Sequence, residues 1–168
     1  MLKAYGAHPE AFTSNTSERA VLPLSWWEAR LVERADNREV VFGAFEGERL
    51  VGVAGLRREA REKISHKATL FGMYVLPSFR GKKIGSELVR TVLKFARSQT
   101  GITVVKLTVS ESNLLARRLY ERHGFITFGV EPYAVRLGKD YVAKVHMWCH
   151  LESLSVDETD HDSQGITD

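Results

Sequence analysis

The run Phe71-Gly-Met-Tyr-Val-Leu-Pro-Ser-Phe-Arg-Gly-Lys-Lys-Ile-Gly-Ser-Glu87 constrains this chain more than any other. It reads as a buried strand, a basic turn bearing glycines, and the first turn of a helix. Such an order makes an anion cradle. The first backbone N–H groups of a helix have no intrahelical partner and carry partial positive charge. Gly81 and Gly85 let a ligand approach the backbone closely, because no side chain intervenes. Arg80, Lys82 and Lys83 add formal charge. These basic residues also fit a solvated face, but the glycines among them argue for a bound anion.

The flanking pattern must carry a strand on one side and a helix on the other, and it does. Residues 68–76 are almost continuously apolar, as expected of a central strand buried on both faces, and Pro77 stops it. Residues 84–98 place Ile84, Leu88, Val89, Val92, Leu93 and Ala96 at a helical period. Residues 103–109 alternate as a strand. Residues 113–123 read as a second helix, with Leu115, Leu119 and Tyr120 on one stripe and Gly124 as a stop. Another strand begins at residues 125–128. Segments 133–137 and 141–151 flank the turn Gly138-Lys139-Asp140 and predict a closing antiparallel hairpin.

Upstream, residues 40–45 and 49–56 form a hairpin about Gly47. Residues 57–67 are strongly charged, with five basic residues against Glu59 and Glu62, and read as a solvated connection. Residues 25–34 predict a helix with Ser25 and Glu28 at capping-box spacing, ended by Asp36-Asn37. Trp27, Leu31 and Trp26 would face the core or a cleft, with packing favoured over a substrate role. A short helix over Leu2, Tyr5 and Ala7 ends before Pro9, and residues 13–17 read as a loop.

The 168 residues favour one domain with a substantial core, residues 1–151, followed by an acidic tail, residues 152–168, with little to bury. At 43% hydrophobic and 27% charged the composition is that of a globular protein. A net charge of +3 gives no case for nucleic acid. One cysteine, Cys149, precludes an internal disulfide and fits a reducing, cytoplasmic setting. No apolar run is long enough to span a membrane, and no signal-peptide order is visible.

Two stretches together carry a resemblance. Met73-Tyr74-Val75, Pro77 and Arg80-Gly81-Lys82-Lys83-Ile84-Gly85 resemble the acyl-CoA loop of the GNAT superfamily of N-acetyltransferases, whose pattern is roughly Arg/Gln-x-x-Gly-x-Gly/Ala. Leu107-Thr-Val-Ser-Glu-Ser-Asn113, then Ala116, Leu119-Tyr120-Glu121 and Gly124-Phe125, resemble its next strand and helix. Fainter echoes at Pro9-Glu-Ala-Phe12, Glu131-Pro132 and His146-Met147 extend the likeness to about residues 9–151.

The resemblance implies an α/β fold, a mixed, mainly antiparallel twisted sheet flanked by helices. The family's usual first strand would fall ahead of Met1. Its neighbour would then be an exposed edge that can pair with another chain, so a homodimer is expected. It further implies an N-acetyltransferase that moves an acetyl group from acetyl-CoA directly to a primary amine, without an acyl-enzyme or a metal. The acceptor would be a small molecule, or a protein N-terminus or lysine. Backbone at Met73, Tyr74 and Val75 would pair with pantetheine, and the N–H groups of Arg80, Gly81, Lys82, Lys83, Ile84, Gly85 and Ser86 would hold the pyrophosphate. Tyr120 would protonate the departing thiolate, and Asn113 would hydrogen-bond the pantetheine arm.

On pattern alone Tyr120 reads as core and Asn113 as a helix cap. Lys83 stands where the family has a glycine, which is costly if that position needs a positive φ. No general base is evident; Glu111, Glu131, His66 and His146 are the candidates. An acyl-CoA-binding module with weak or lost catalysis is the alternative. His146-Met-Trp-Cys-His150 has metal-like spacing only on a helix; on a strand Cys149 points away from the two histidines.

Overall fold

The computed structural model describes residues 1–29, 31 and 38–151. Six strands form one sheet: β1 (Glu39–Glu46), β2 (Arg49–Arg58), β3 (Lys67–Val75), β4 (Val104–Ser110), β5 (Ile126–Leu137) and β6 (Asp140–His150), in the spatial order β1-β2-β3-β4-β6-β5. Every pairing is antiparallel except β3 with β4. The helices are α1 (Leu2–Ala7), α2 (Thr16–Ala20), α3 (Leu24–Glu28), α4 (Ile84–Ser98) and α5 (Leu114–Arg122), with 3-10 turns at Pro9–Ala11, Glu62–Ile64 and Pro77–Phe79.

The core follows from α4. Its stripe Leu88, Val89, Val92, Leu93 and Ala96 is buried against Ala54 and Leu56 of β2, Ala68 and Leu70 of β3, and Val105 and Leu107 of β4. Val145, Met147 and Cys149 of β6 extend the same layer. Each fully buried aliphatic side chain contributes roughly 1.5–3 kcal/mol from burial. Strand alternation therefore sends Lys106, Thr108 and Ser110 of β4, with Lys144, His146 and Trp148 of β6, to the opposite face. Cys149 is a buried free thiol in the core layer, while His146 bonds Glu131 on the other face.

Several expectations need correction. Residues 16 and 17 are helical, in α2, whose capping box is formed by Asn15 and Glu18. Asn15 Oδ1 accepts the Glu18 N–H at 2.8 Å, and Glu18 Oε2 accepts the Asn15 N–H at 3.1 Å. Helix α3 begins one residue before Ser25, after Pro23, and has no side-chain cap. Leu31 is exposed, and the tryptophans are half-buried against each other at 4.9 Å. The expected stop at Asp36-Asn37 and the tail from residue 152 lie outside the described residues.

The segments expected at 125–128 and 133–137 are one long strand, β5. Its register shifts between Glu131 and Val135, where Tyr133 has φ 55°. Pro132 is tolerated because β5 is an edge strand. Finally, β3 is not buried on both faces: from Phe71 to Val75 it is only half-buried, because one side of it walls a cleft.

Candidate active site

The cleft arises where two parallel strands part. β3 and β4 are registered only at Lys67↔Val104, Ala68↔Val105 and Thr69↔Lys106. Beyond Thr69 they diverge, leaving a V whose closed end is held by Thr103 and Val104 N–H groups donating to His66 O. On its other side β3 pairs with β2, where the register slips between Val53 and Gly55. Gly72, at φ 63°, absorbs the slip as a bulge. A cavity of about 1090 Å³ occupies the V and continues over the outer sheet face.

At the mouth of the V stands the basic turn. Pro77–Phe79 turns the chain, Gly81 adopts φ 81°, and Lys83 adopts φ 62°, ψ 2° immediately before α4. Lys83 is thus the helix N-cap in the left-handed region, at roughly 1–2 kcal/mol of backbone strain for a non-glycine. It makes no side-chain cap, so the first N–H groups of α4 face the cavity uncapped by it. Gly85 is the close-approach position: a Cβ there would lie 3.2 Å from both Leu119 Cδ2 and Met73 Cε. Met73, Tyr74, Val75, Arg80, Gly81, Lys83, Ile84, Gly85 and Ser86 all line the cavity. Lys82 does not. It leans outward over the Phe79 ring at 4.7 Å and lies 3.6 Å from Glu46.

Helix α5 supplies the opposite wall. Asn113 caps it, its Oδ1 accepting the Ala116 N–H at 3.2 Å, so a ligand would meet its amide NH₂. Tyr120 is 5% exposed, packs edge-to-face on Phe125 at 5.8 Å, and still lines the cavity. Burial pushes its phenol well above the usual value, so it stays protonated. Across α4 and α5, Ser86 Oγ and His123 Nε2 are 2.8 Å apart. Burial, then the nearby Arg90 charge, holds the His123 imidazole below its ordinary pKa.

None of the four base candidates, Glu111, Glu131, His66 and His146, lines the cavity. Residues of the N-terminal segment do, among them His8, Glu10 and Ala11. The Pro9–Ala11 turn is drawn over the cleft by Lys144, whose Nζ donates to Glu10 O (3.2 Å), Ala11 O (3.0 Å) and Ser110 Oγ (2.9 Å). Ser110 Oγ in turn donates to Glu10 O. Lys144 is 3% exposed, and burial lowers its pKa while the Glu10 charge opposes the shift. An ammonium has three donors, and all three are used here, which keeps it protonated.

On the other wall of the V, Arg80 Nη2 donates to His8 Nε2 at 3.0 Å. A guanidinium only donates, so Nε2 accepts and the ring proton sits on Nδ1, 3.3 Å from Glu10 Oε1. His8 and Lys144 are not singled out by the sequence, and Glu10 only within the Pro9-Glu-Ala-Phe12 echo. Their grouping depends on contacts between residues up to 134 positions apart.

The sheet is thus split between its two parallel strands, with a basic turn and the start of a helix at the split. The family model described as Acetyltransferase (GNAT) family matches residues 3–125. The chain belongs to the GNAT acetyltransferase family. Among curated relatives, it is 29% identical over 128 residues to mycothiol acetyltransferase of Brachybacterium faecium, covering 76% of this chain and 36% of that protein. It is 34% identical over 110 residues to N-acetyltransferase 8 of Homo sapiens, covering 65% of this chain and 48% of that protein. The chain thus spans half or less of the length of these two relatives.

Solved structures share the fold. Ribosomal-protein-alanine N-acetyltransferase from Brucella melitensis superposes with a TM-score of 0.71 at 20% identity, covering 89% of this chain and 91% of that one. The Salmonella typhimurium protein yncA, solved with its cofactor acetyl-CoA, superposes with a TM-score of 0.70 at 19% identity over 95% of both chains.

Proposed function

We propose that this chain transfers an acetyl group from acetyl-CoA directly to a primary amine of a small-molecule acceptor, both substrates being bound together. The observation that carries the reading is the V between β3 and β4, with the Arg80-to-Ser86 turn at its mouth and Tyr120 on its wall. These residues fit acetyl-CoA. Backbone of the bulged strand at Met73, Tyr74 and Val75 offers an edge for pantetheine, the amide of Asn113 offers a donor from the far wall, and the uncapped start of α4 offers N–H groups to a pyrophosphate. Acetyl-CoA would supply an activated thioester, so no nucleophilic side chain is required.

Tyr120 would act as the general acid toward the leaving thiolate. A neutral phenol is what that role needs, and burial keeps it neutral. His8 would receive the amine proton. It is an imidazole within the cleft, with Glu10 orienting its Nδ1–H, and its Nε2 would be released when Arg80 turns to phosphate. Lys144 would hold the turn that bears Glu10, and so position His8.

A binding module without catalysis is less favoured: Lys83 takes up the left-handed backbone that the cradle requires, so its presence leaves the N–H donors in position. Calorimetric titration with acetyl-CoA, with ATP as control, tests the cradle. Saturable binding that prefers the CoA compound is expected, and none at millimolar concentration would overturn the reading. Tyr120→Phe then separates the two classes, because a transferase loses turnover far more than cofactor affinity.

A further inference from the structure

We infer that the acceptor carries a carboxylate near its reactive amine, and that Arg57 and Arg19 receive it on the sheet face opposite α4. The inference rests on the acetyl-transfer reading above and concerns the other half of the same cavity.

The cavity is cationic: Arg19, Arg57 and Lys144 line it along with the basic turn, and among the described lining residues Glu10 is the single acidic side chain. The Glu10 carboxylate is already turned toward His8. Lys144 is not a free ligand, since its three N–H groups are spent on Glu10 O, Ala11 O and Ser110 Oγ. It is a fixed positive charge held where water is largely excluded, and its field acts over a longer range than that of an exposed lysine.

The two arginines have donors to give. Arg57 lies over the Phe71 ring at 5.7 Å, and Glu39 approaches one of its Nη atoms at 3.6 Å. Such a half-exposed, single-point pair is weak. Arg19 donates one Nη2 bond to Ser14 Oγ at 2.8 Å and stacks on Trp26 at 4.9 Å. Each guanidinium is therefore oriented by an aromatic face, and among the described residues neither is engaged by a two-point carboxylate. A planar fork held in this way matches a carboxylate bidentately. A polyamine, by contrast, would bring further positive charge toward three cations. Phe12, Phe71 and Tyr74 give the same chamber an apolar wall, so an amino acid with an apolar side chain is the simplest acceptor of this kind.

The test uses matched pairs. N-acetylphenylalanine and N-acetylphenylalaninamide are titrated calorimetrically into the full chain saturated with CoA, which removes differences in amine basicity. Turnover of phenylalanine, phenylalaninamide and spermidine is compared alongside. The acid should bind about tenfold or more tightly than the amide, the size expected of one good charge-assisted contact. The Arg19→Gln/Arg57→Gln double variant should reduce that preference to about threefold or less. Equal binding of acid and amide, including no binding of either, overturns the inference. So does better turnover of the amide or spermidine, or a preference that survives the double variant. Failure of acetyl-CoA itself to bind would instead sink the transfer reading, and so the two failures are distinguishable.

Discussion

At the scale of single residues, Tyr120 and Lys83 were each ambiguous in sequence for the same reason: a residue letter does not state its backbone angle or its surroundings. Tyr120 is both core and cleft, being buried on Phe125 yet part of the cavity wall. Tyr120→Phe should lower kcat by about 100-fold, near the lower end for loss of a general acid, with acetyl-CoA affinity nearly unchanged. A comparable loss in both would make it a packing residue. Because burial raises its pKa, Tyr120 should not ionise in the working range. Activity should therefore climb with pH as more amine is deprotonated, without a falling limb below pH ~10, where an ordinary tyrosine would ionise. Lys83 has the positive φ that makes a lysine costly. Lys83→Gly relieves ~1–2 kcal/mol of left-handed strain and adds ~0.5–1 kcal/mol of unfolded-state entropy. Net stabilisation of about 0.5–1 kcal/mol is expected in denaturant titration, with no marked gain in acetyl-CoA affinity. Tighter binding would mean that the lysine had been blocking the cradle.

At the scale of elements, local pattern and long-range grouping parted company. Residues 84–98 were legible to the residue because an amphipathic period and the turn before it are written in adjacent positions, and α4 spans Ile84–Ser98. The strand β4 was recognisable from alternation, and β1, β2 and β6 as runs beside turns that carry Gly47 and Gly138. The cap at Ser25 was misread because α3 starts one residue earlier, after Pro23, which leaves Ser25 inside the helix, while the same spacing at Asn15 and Glu18 caps α2. The Pro9–Ala11 turn stood in the sequence only as an echo of the family, and its tether could not be read, since Lys144 looks like any lysine in a strand. The β3 bulge was half-legible: Gly72 stood in the quoted motif, but only the register of β2 gives its purpose. A Cβ at Gly72 would meet nothing within 4 Å, so Gly72→Ala tests backbone conformation without a clash. It should destabilise the chain by ~1–2 kcal/mol and weaken acetyl-CoA binding together, because the bulge and the cleft edge are one feature. A neutral substitution would show that β3 tolerates a regular register there.

At the scale of the whole molecule, α4 and α5 stand on the two sides of the V, and Ser86 and His123 join them. Ser86 belongs to the first turn of α4 and His123 to the end of α5. The imidazole is held below its ordinary pKa chiefly by burial, then by the Arg90 charge; Glu87 opposes this and Arg122 adds to it. In the unfolded chain His123 would titrate near ~6.5. As pH falls through that value the unfolded state takes up a proton first, while the folded state still resists it. Stability is therefore fully present above about pH 6.5 and declines as pH falls toward the folded value, levelling once both states are protonated. The sign is that of a histidine buried neutral and opposite to that of one stabilised as a cation. Thermal melts of the native chain and of His123→Gln between pH 7.5 and 5 should show a steeper loss in the native chain. Glutamine can keep a hydrogen bond to Ser86 Oγ but cannot titrate. The consequence reaches the cradle, because Ser86 lines the cavity beside the start of α4. Acetyl-CoA affinity should weaken over the same interval in the native chain and less so in His123→Gln. If the two chains melt in parallel across that range, the contact between the helices does not depend on the charge of His123, and the walls of the V are held by the α4 core stripe alone.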